Sequence, residues 1–155
     1  MFREMRRKEK TMPEADALRI LREAEFGTLA TIGADGYPYA VVLNYVLDGN
    51  SIYFHTAHGG HKVSNIGFCE RVCFSVVGYH KLMAEKFDTE YDSVIVFGTA
   101  ERVEDENEKR KAYMRLIEKY SSAYKAQGVD HIAQASGTAA VYRINIEHKT
   151  GKVGR

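Results

Sequence analysis

The fold is decided by residues 29–66, which read LATIGADGYPYAVVLNYVLDGNSIYFHTAHGGHKVSNI. Three apolar runs in this stretch are rich in β-branched and aromatic residues, as strands are. Ala34-Asp35-Gly36 and Asp48-Gly49-Asn50 separate the runs, and Asp-Gly pairs accept the positive φ angles of tight hairpin turns. The stretch therefore predicts three antiparallel strands joined by hairpins and followed by a loop rich in glycine and histidine.

The remainder of the chain predicts three more strands and two helices. The strands are the β-branched and aromatic runs at residues 71–78, 92–103 and 137–149. A polar segment, residues 79–91, separates the first two. Residues 11–27 and 105–125 carry apolar side chains at helical spacing, and we expect the tyrosines of the second helix to serve in packing. Because closure removes the exposed edges of a flat sheet, we predict a mainly β fold, a six-stranded antiparallel barrel with flanking helices.

Composition restricts the function classes. The 155 residues carry a formal net charge of +1, which is unlike the strongly basic surface of a dedicated nucleic-acid binder. The basic amino terminus lacks the apolar region of a signal peptide, and no apolar run reaches the roughly 18 residues of a membrane helix. We expect a single domain spanning residues 1–155, cytoplasmic, with small molecules or its own copies as partners. Cys69 and Cys73 are expected to be reduced.

The loop FHTAHGGHK, Phe54 to Lys62, concentrates three histidines. His55, His58 and His61 would converge on a metal only along a helix, but His55 lies in a predicted strand and two glycines interrupt the path, so we expect no metal site. Two interpretations remain open. Either these are solvated histidines without a function, or the loop is an anion site.

The anion interpretation depends on two glycines and on the short helix predicted after them. Gly59-Gly60 lets the backbone turn closely around a ligand, and HKVSNIGF then starts a helix whose first N–H groups lack partners. Lys62 adds a charge, His61 a second donor, and Thr56 a hydroxyl. The loop therefore has the composition of a phosphate cradle.

The predicted second strand carries one amide, Asn44, on a face it shares with Ala40, Val42 and Val46. A buried amide needs hydrogen-bond partners. One possibility is that Asn44 bonds a neighbouring loop. The second is that a flat apolar ligand with polar edges lies against this strand, with its edge read by Asn44 and its phosphate held by the histidine loop.

The ordered motifs of this chain resemble the FMN-binding split-barrel superfamily related to pyridoxamine 5'-phosphate oxidase, and are most similar to its nitroimidazole-resistance (Nim-type) branch. They are Leu29-Ala30-Thr31, Asp35-Gly36-Tyr37-Pro38, Leu43-Asn44-Tyr45, Tyr53-Phe54-His55-Thr56-Ala57, Gly60-His61-Lys62 with Asn65-Ile66, Val72-Cys73-Phe74, Ser93-Val94-Ile95-Val96-Phe97-Gly98 and Thr150-Gly151-Lys152.

The resemblance implies a homodimer of six-stranded split barrels, with one FMN in each of two clefts at the subunit interface. It implies that the isoalloxazine ring is flanked by Thr31, Val42, Leu43 and Asn44. It further implies a phosphate held by Thr56, His61 and Lys62, with Ala57 also in the cofactor site. His55 would sit near the ring or the substrate pocket.

The function implied is that of an FMN-dependent oxidoreductase, which passes electrons from a reduced nicotinamide or another small donor to a small acceptor such as a nitroaromatic. In that interpretation His55 is the catalytic proton donor, since imidazole titrates near neutral pH; a structural histidine is the competing role. A non-enzymatic flavin-binding or redox-sensing protein, a haem-binding split barrel, and a deazaflavin in place of FMN are also compatible with the sequence.

Overall fold

The computed structural model describes residues 1–135 and 139–155, together with the side chains of all of these except 132–135. Its strands are β1 (Gly27–Ile32), β2 (Pro38–Leu43), β3 (Val46–Asp48), β4 (Ser51–Ala57), β5 (Arg71–Met83), β6 (Asp88–Arg102) and β7 (Ala139–Gly154). Its helices are α1 (Glu14–Glu23), α2 (His61–Phe68), α3 (Glu106–Tyr120) and α4 (Lys125–Ala135), with single 3-10 turns at Lys8–Lys10, Ala84–Lys86 and Ser122–Tyr124. Gly137 and Thr138, where we predicted the last strand to begin, lie outside the described residues.

All seven strands form one antiparallel sheet in the order β2-β1-β5-β6-β7-β4-β3. The two edge strands, β2 and β3, are joined by only Asn44 and Tyr45. Three Cα steps of about 3.8 Å lead from Leu43 to Val46, so the end of β2 and the start of β3 lie within about 11 Å of each other. The sheet is therefore rolled into a barrel, as the sequence predicts.

The strand count differs from the prediction of six, because the predicted second strand breaks at Asn44-Tyr45 into β2 and β3. The backbone of Tyr45 leaves the ladder and bonds α3 instead. Its N–H donates to the Tyr120 hydroxyl (3.1 Å), and its carbonyl accepts from the Tyr120 hydroxyl (2.9 Å) and from Lys119 Nζ (3.0 Å). These side chains replace the hydrogen bonds that a continuous strand would have made.

The barrel interior is filled by apolar side chains that alternate along the strands. The fully buried members include Leu29, Ile52, Phe54, Phe74, Val76, Val94, Val96 and Ile144. Helix α1 packs on the same core through Ala17, Ile20 and Leu21. Tyr45 joins these parts, since its ring packs edge-on against Phe74 (centroids 4.8 Å apart) and its hydroxyl donates to the Leu21 carbonyl (2.6 Å).

The polar segment at residues 79–91 is not a break between strands, contrary to our prediction. It extends β5 and β6 into a long hairpin in which His80–Met83 pairs with Asp88–Tyr91. The ladder shifts register between Val77 and His80, and Phe87 turns the chain with φ 52°. Strand pairing therefore continues where the apolar pattern has ended.

Helix α1 is shorter than predicted, while the start of α3 follows the sequence. Residues before α1 are extended, with Thr11 bridged to Lys152. Asp105 caps α3, because its carboxylate accepts from the Glu108 N–H (2.9 Å). Tyr124, which we predicted within this helix, lies in the turn that comes after it.

Helix α3 covers the outer face of β4 and β7. A second apolar cluster, made of Val103, Ala112, Tyr113 and Val141, joins the helix to the sheet. Beside it, Arg143 of β7 bonds both Glu108 of α3 and Glu101 of β6. No helix within residues 1–135 and 139–155 is long and apolar enough to cross a membrane.

Candidate functional site

The histidine loop ends at an uncapped helix N-terminus. Gly60 has φ 117°, a left-handed value that favours glycine, and α2 begins at the next residue. The first helical backbone bond runs from the Ser64 N–H to the Gly60 carbonyl (3.0 Å). Within the described residues no side chain caps α2, so the N–H groups of residues 61–63 point out of the helix. This is the backbone geometry of an anion site.

A hydrogen bond between Asn65 and Thr31 holds helix α2 against strand β1. Asn65 donates through Nδ2 to the Thr31 hydroxyl (3.0 Å), and both side chains are buried, with exposed fractions of 5% and 1%. Gly33 allows the approach, since a Cβ there would lie 2.7 Å from Asn65 Oδ1. Thr31 therefore lies beneath the surface and positions the helix that carries the loop.

Aromatic and basic side chains surround the loop. The rings of Tyr39 and His61 are stacked with centroids 3.8 Å apart, which fixes His61 at the first turn of α2. Lys62 is the next residue and is half-buried. Arg102, at the end of β6, donates to His58 Nδ1 (2.5 Å). Sequence reasoning missed Arg102, because 44 residues separate it from its partner and only strand pairing brings the two together.

The residues predicted to form the phosphate end of the cofactor site differ in their exposure to solvent. Thr56 faces the barrel interior and is buried, whereas Ala57, the last residue of β4, is exposed. His61 is exposed and Lys62 is half-buried on the helix side of the loop. Within this structure, the side chains of His61 and Lys62 are thus nearer to solvent than that of Thr56.

The outer face of β2 carries small or apolar side chains, and the loop meets this strand through the stack of His61 on Tyr39. Ala40 and Val42 are exposed, the latter with 61% of its surface, whereas Val41 and Leu43 pack towards the core. Asn44 is exposed as well, and its Nδ2 donates to the Glu25 carbonyl (3.0 Å). The prediction of a buried amide is wrong, and the structure shows the bond to a neighbouring loop.

Two rows of uncharged residues extend this outer face across the neighbouring strands. Register pairs place Thr28 beside Val42, Ser75 beside Thr28, and Ile95 beside Ser75. A second row runs through Ala40, Ala30, Cys73 and Phe97. We call these eight residues the outer sheet face.

Cys69 and Cys73 are both free thiols, as predicted, although Cys69 precedes the strand.

His55 lies on the outward side of β4, next to α3. Its ring is 5.9 Å from that of Tyr113, centroid to centroid. Burial lowers the pKa of His55, and the nearby charges of His131 and Lys62 lower it further. At neutral pH His55 is therefore mainly an uncharged donor and acceptor of hydrogen bonds.

A cleft of about 680 Å³ opens beside His55, between β4 and the helices α3 and α4. Its walls include the rings of Tyr113, Tyr120 and Tyr124, together with Asn44. We call it the α3–α4 cleft. Sequence reasoning interpreted these tyrosines as packing residues. That is right for Tyr113 and Tyr120, but Tyr124 leaves 65% of its surface exposed.

Metal ligands do not converge here. Among residues 1–135 and 139–155 no group of three or more His, Cys, Asp or Glu side chains is placed to hold a metal ion. His58 engages Arg102, His61 stacks on Tyr39, and His55 faces Tyr113, so the three loop histidines point to different partners.

Comparison with known proteins identifies relatives of this barrel. The family described as pyridoxamine 5'-phosphate oxidase matches residues 13–153. No curated protein matches the chain. A conserved hypothetical protein from Mycobacterium tuberculosis superposes with a TM-score of 0.84 at 23% identity, covering 98% of this chain and 91% of that one.

Two further solved structures are informative for the fold. A Bacteroides thetaiotaomicron protein, described as a candidate 5-nitroimidazole antibiotic resistance protein, superposes with a TM-score of 0.74 at 22% identity and covers 93% of this chain and 86% of that one. A FAD and haem binding protein from Mycobacterium smegmatis superposes with a TM-score of 0.77 at 16% identity, covering 96% and 74%. At these identities the likeness shows a shared fold.

Proposed function

This chain belongs to the pyridoxamine 5'-phosphate oxidase family, and from that premise we propose that it is an FMN-binding oxidoreductase that passes electrons from a small donor to a small acceptor. The observation that carries the proposal is the uncapped N-terminus of α2, whose first residue, His61, stacks on Tyr39 of β2, a strand with an uncharged outer face. A flavin mononucleotide needs both an anion site for its phosphate and an apolar surface for its ring.

The phosphate fits the loop between β4 and α2. Backbone N–H groups of residues 61–63 are available as donors, and Lys62 supplies a full positive charge. In this proposal His61 donates to the phosphate from its position against Tyr39, and Ala57 leaves room beside it. Thr56 is buried near the end of β4, just before the loop. Arg102 adds positive potential through its position at His58.

The isoalloxazine ring fits the exposed side of β2. Val42 offers an apolar contact, the backbone of Leu43 runs alongside, and Asn44 ends the strand with its amide. Thr31 acts indirectly, because its hydroxyl holds Asn65 and so fixes α2 relative to this strand. The resemblance to the superfamily supports the same residues.

The homodimer belongs to the same proposal, since the resemblance implies an FMN at each subunit interface. The outer sheet face supports it, because it is free of charged residues and exposes Val42, Ile95 and Phe97. Contiguous exposed apolar surface of this kind marks an interaction site. A second copy of the chain would cover the isoalloxazine ring that is proposed to lie on β2.

A bound flavin would supply the electron-transfer chemistry, and the chain's residues would bind, orient and shield it. With a reduced nicotinamide as donor and a nitroaromatic as acceptor, the overall reaction consumes one reduced nicotinamide and one proton. It converts the nitro group to a nitroso group and releases one water. In this proposal His55 is the proton donor to the acceptor.

The second candidate, from a different class, is a flavin-binding protein without rapid turnover. One observation favours it: the lowered pKa of His55 leaves little of its imidazole protonated at neutral pH, so the residue seldom carries a proton to donate. A haem-binding role is supported by neighbours whose descriptions name haem, among them the FAD and haem binding protein and a haem storage protein from Vibrio cholerae.

The absorption spectrum of the purified protein tests the proposal. We expect a retained two-band flavin spectrum after FMN is added and excess is removed by gel filtration. A Soret band would favour haem. If neither chromophore is retained, FMN binding is wrong and a deazaflavin is the next ligand to test. Oxidation of reduced nicotinamide by the loaded protein separates the enzyme from the flavin carrier.

A further inference from the structure

The lining of the α3–α4 cleft is aromatic and uncharged. Tyr113 and Tyr120 of α3 and Tyr124 of the adjoining turn contribute rings to its walls, and Leu116 and Ile117 contribute aliphatic surface. Among the described residues that line it, none is Asp, Glu, Lys or Arg. Flat aromatic molecules stack well on such walls, whereas a charged ligand would lose hydration without gaining an opposite charge.

Hydrogen-bond donors are also available in the cleft walls. Gln127 and His131 of α4 line the cleft together with His55 of β4. Tyr113 is 9% exposed, and its hydroxyl is buried without a hydrogen-bond partner among the described residues. Leaving a buried hydroxyl unpaired costs about 1–3 kcal/mol. An oxygen of a ligand that reaches the base of the cleft can accept this bond.

The cleft adjoins the proposed flavin site. Asn44 belongs to both, because it ends the strand against which the ring is placed and also lines the cleft. His55 lines the cleft from the strand that ends at the phosphate loop. A molecule in the cleft would therefore lie next to the edge of the proposed isoalloxazine ring.

We infer that the α3–α4 cleft binds the electron acceptor, and that this acceptor is a flat, uncharged aromatic molecule carrying hydrogen-bond-accepting oxygens. The inference rests on the proposed function for the acceptor role. Tyr124 stacks on the aromatic ring, and the Tyr113 hydroxyl donates to an oxygen of the ligand. Nitro groups and quinone carbonyls both present such oxygens.

The test measures binding of 4-nitroacetophenone to the full-length protein, with and without FMN, by saturation-transfer NMR and equilibrium dialysis. Tyr124→Ala removes an exposed ring, and we expect about tenfold weaker binding from the lost stacking. Phe87→Ala is the matched control, because this ring is 98% exposed at the distant hairpin tip and its removal should leave binding unchanged. Equal binding to wild-type protein and Tyr124→Ala overturns the inference.

Tyr113→Phe separates ligand binding from folding. It removes only the unpaired hydroxyl, so we expect about fivefold weaker binding of 4-nitroacetophenone with unchanged or higher stability of the free protein. Lower stability of the free variant, with unchanged binding, would show that the hydroxyl has a structural partner and would overturn its assigned role.

The two proposals fail in different ways. If FMN is retained but 4-nitroacetophenone does not bind, the cleft assignment is overturned while FMN binding stands. If the probe binds and responds to Tyr124→Ala but FMN is not retained, the acceptor role is overturned together with the proposed function.

Discussion

Asn65 donates its side-chain amide to the hydroxyl of Thr31, and both side chains are buried. This single bond, with a length of 3.0 Å, ties the helix that carries the phosphate loop to the first strand of the barrel. Thr31→Val keeps the shape but leaves the Asn65 amide without this partner. We expect a loss of about 1–3 kcal/mol in the free energy of unfolding, measured by urea denaturation. Thr31→Ser retains the hydroxyl and should lose less; equal losses would show that the methyl group matters instead.

The conformation of Gly60 gives a prediction about the loop. Its φ of 117° is strained for any residue with a Cβ, although a Cβ there would meet no atom within 4 Å. Gly60→Ala should therefore distort the start of α2 and weaken FMN binding by about tenfold or more, the equivalent of one to two kcal/mol of backbone strain. Gly59→Ala is the control, since Gly59 also has open space and does not have a positive φ. Similar affinities of the two variants, measured by flavin fluorescence quenching, would contradict the role of this conformation.

The pKa of His55 predicts a pH dependence of stability. Because the folded pKa is lowered below the ordinary value of 6.5, the unfolded state binds this proton more readily. The contribution is fully favourable above about pH 6.5 and is lost progressively as the pH falls towards the folded pKa. His55→Gln should therefore show a smaller loss of stability than wild type between pH 7.5 and pH 5, measured by urea denaturation at each pH. Parallel pH profiles would show that His55 is protonated equally in both states.

Closure of the barrel at Tyr45 makes a further prediction. The Tyr120 hydroxyl accepts from the Tyr45 N–H, and its single proton is shared between the Glu25 carbonyl (2.6 Å) and the Tyr45 carbonyl (2.9 Å). Tyr120→Phe removes these bonds, and we expect a loss of about 1–3 kcal/mol in the free energy of unfolding. Tyr142→Phe, which keeps its ring in the core, is a comparison in which none of these bonds changes. A Tyr120→Phe variant as stable as wild type would mean that water replaces the hydroxyl at this junction.

The outer sheet face predicts the assembly. Ile95→Lys places a charge on this uncharged face, and we expect it to convert the proposed dimer to a monomer because burying an unpaired charge is costly. Tyr37→Lys is the control at an exposed turn outside the face. Analytical ultracentrifugation distinguishes the two. A dimer that survives Ile95→Lys would place the interface elsewhere.

Local signals in the sequence were sufficient for much of the fold. Both predicted hairpin turns contain a glycine with positive φ, Gly36 at 81° and Gly49 at 61°, as the Asp-Gly pairs indicated. The helix start at Asp105 also came from a single local preference. These features depend on neighbouring residues, which is why a pattern of four or five letters predicts them.

The features that escaped prediction depend on residues distant in the chain. The break at Asn44-Tyr45 needs the hydroxyl of Tyr120, 75 residues after Tyr45. The long hairpin is paired by backbone bonds, so its polar side chains gave no strand signal. At the candidate site, Lys62 was found from the loop itself, whereas Arg102 reaches the loop only because β6 ends beside it.

The central claim is that the loop before α2 grips the phosphate of FMN, and the most direct test compares the dissociation constants of FMN and riboflavin. Riboflavin has the same ring but no phosphate. We expect wild-type protein to bind FMN at least about a hundredfold more tightly, since charge-assisted bonds contribute about 1.5–3 kcal/mol each, and Lys62→Ala to reduce this ratio by about tenfold while riboflavin affinity stays constant. Equal affinity for the two flavins, or a ratio unchanged by Lys62→Ala, would contradict the assignment.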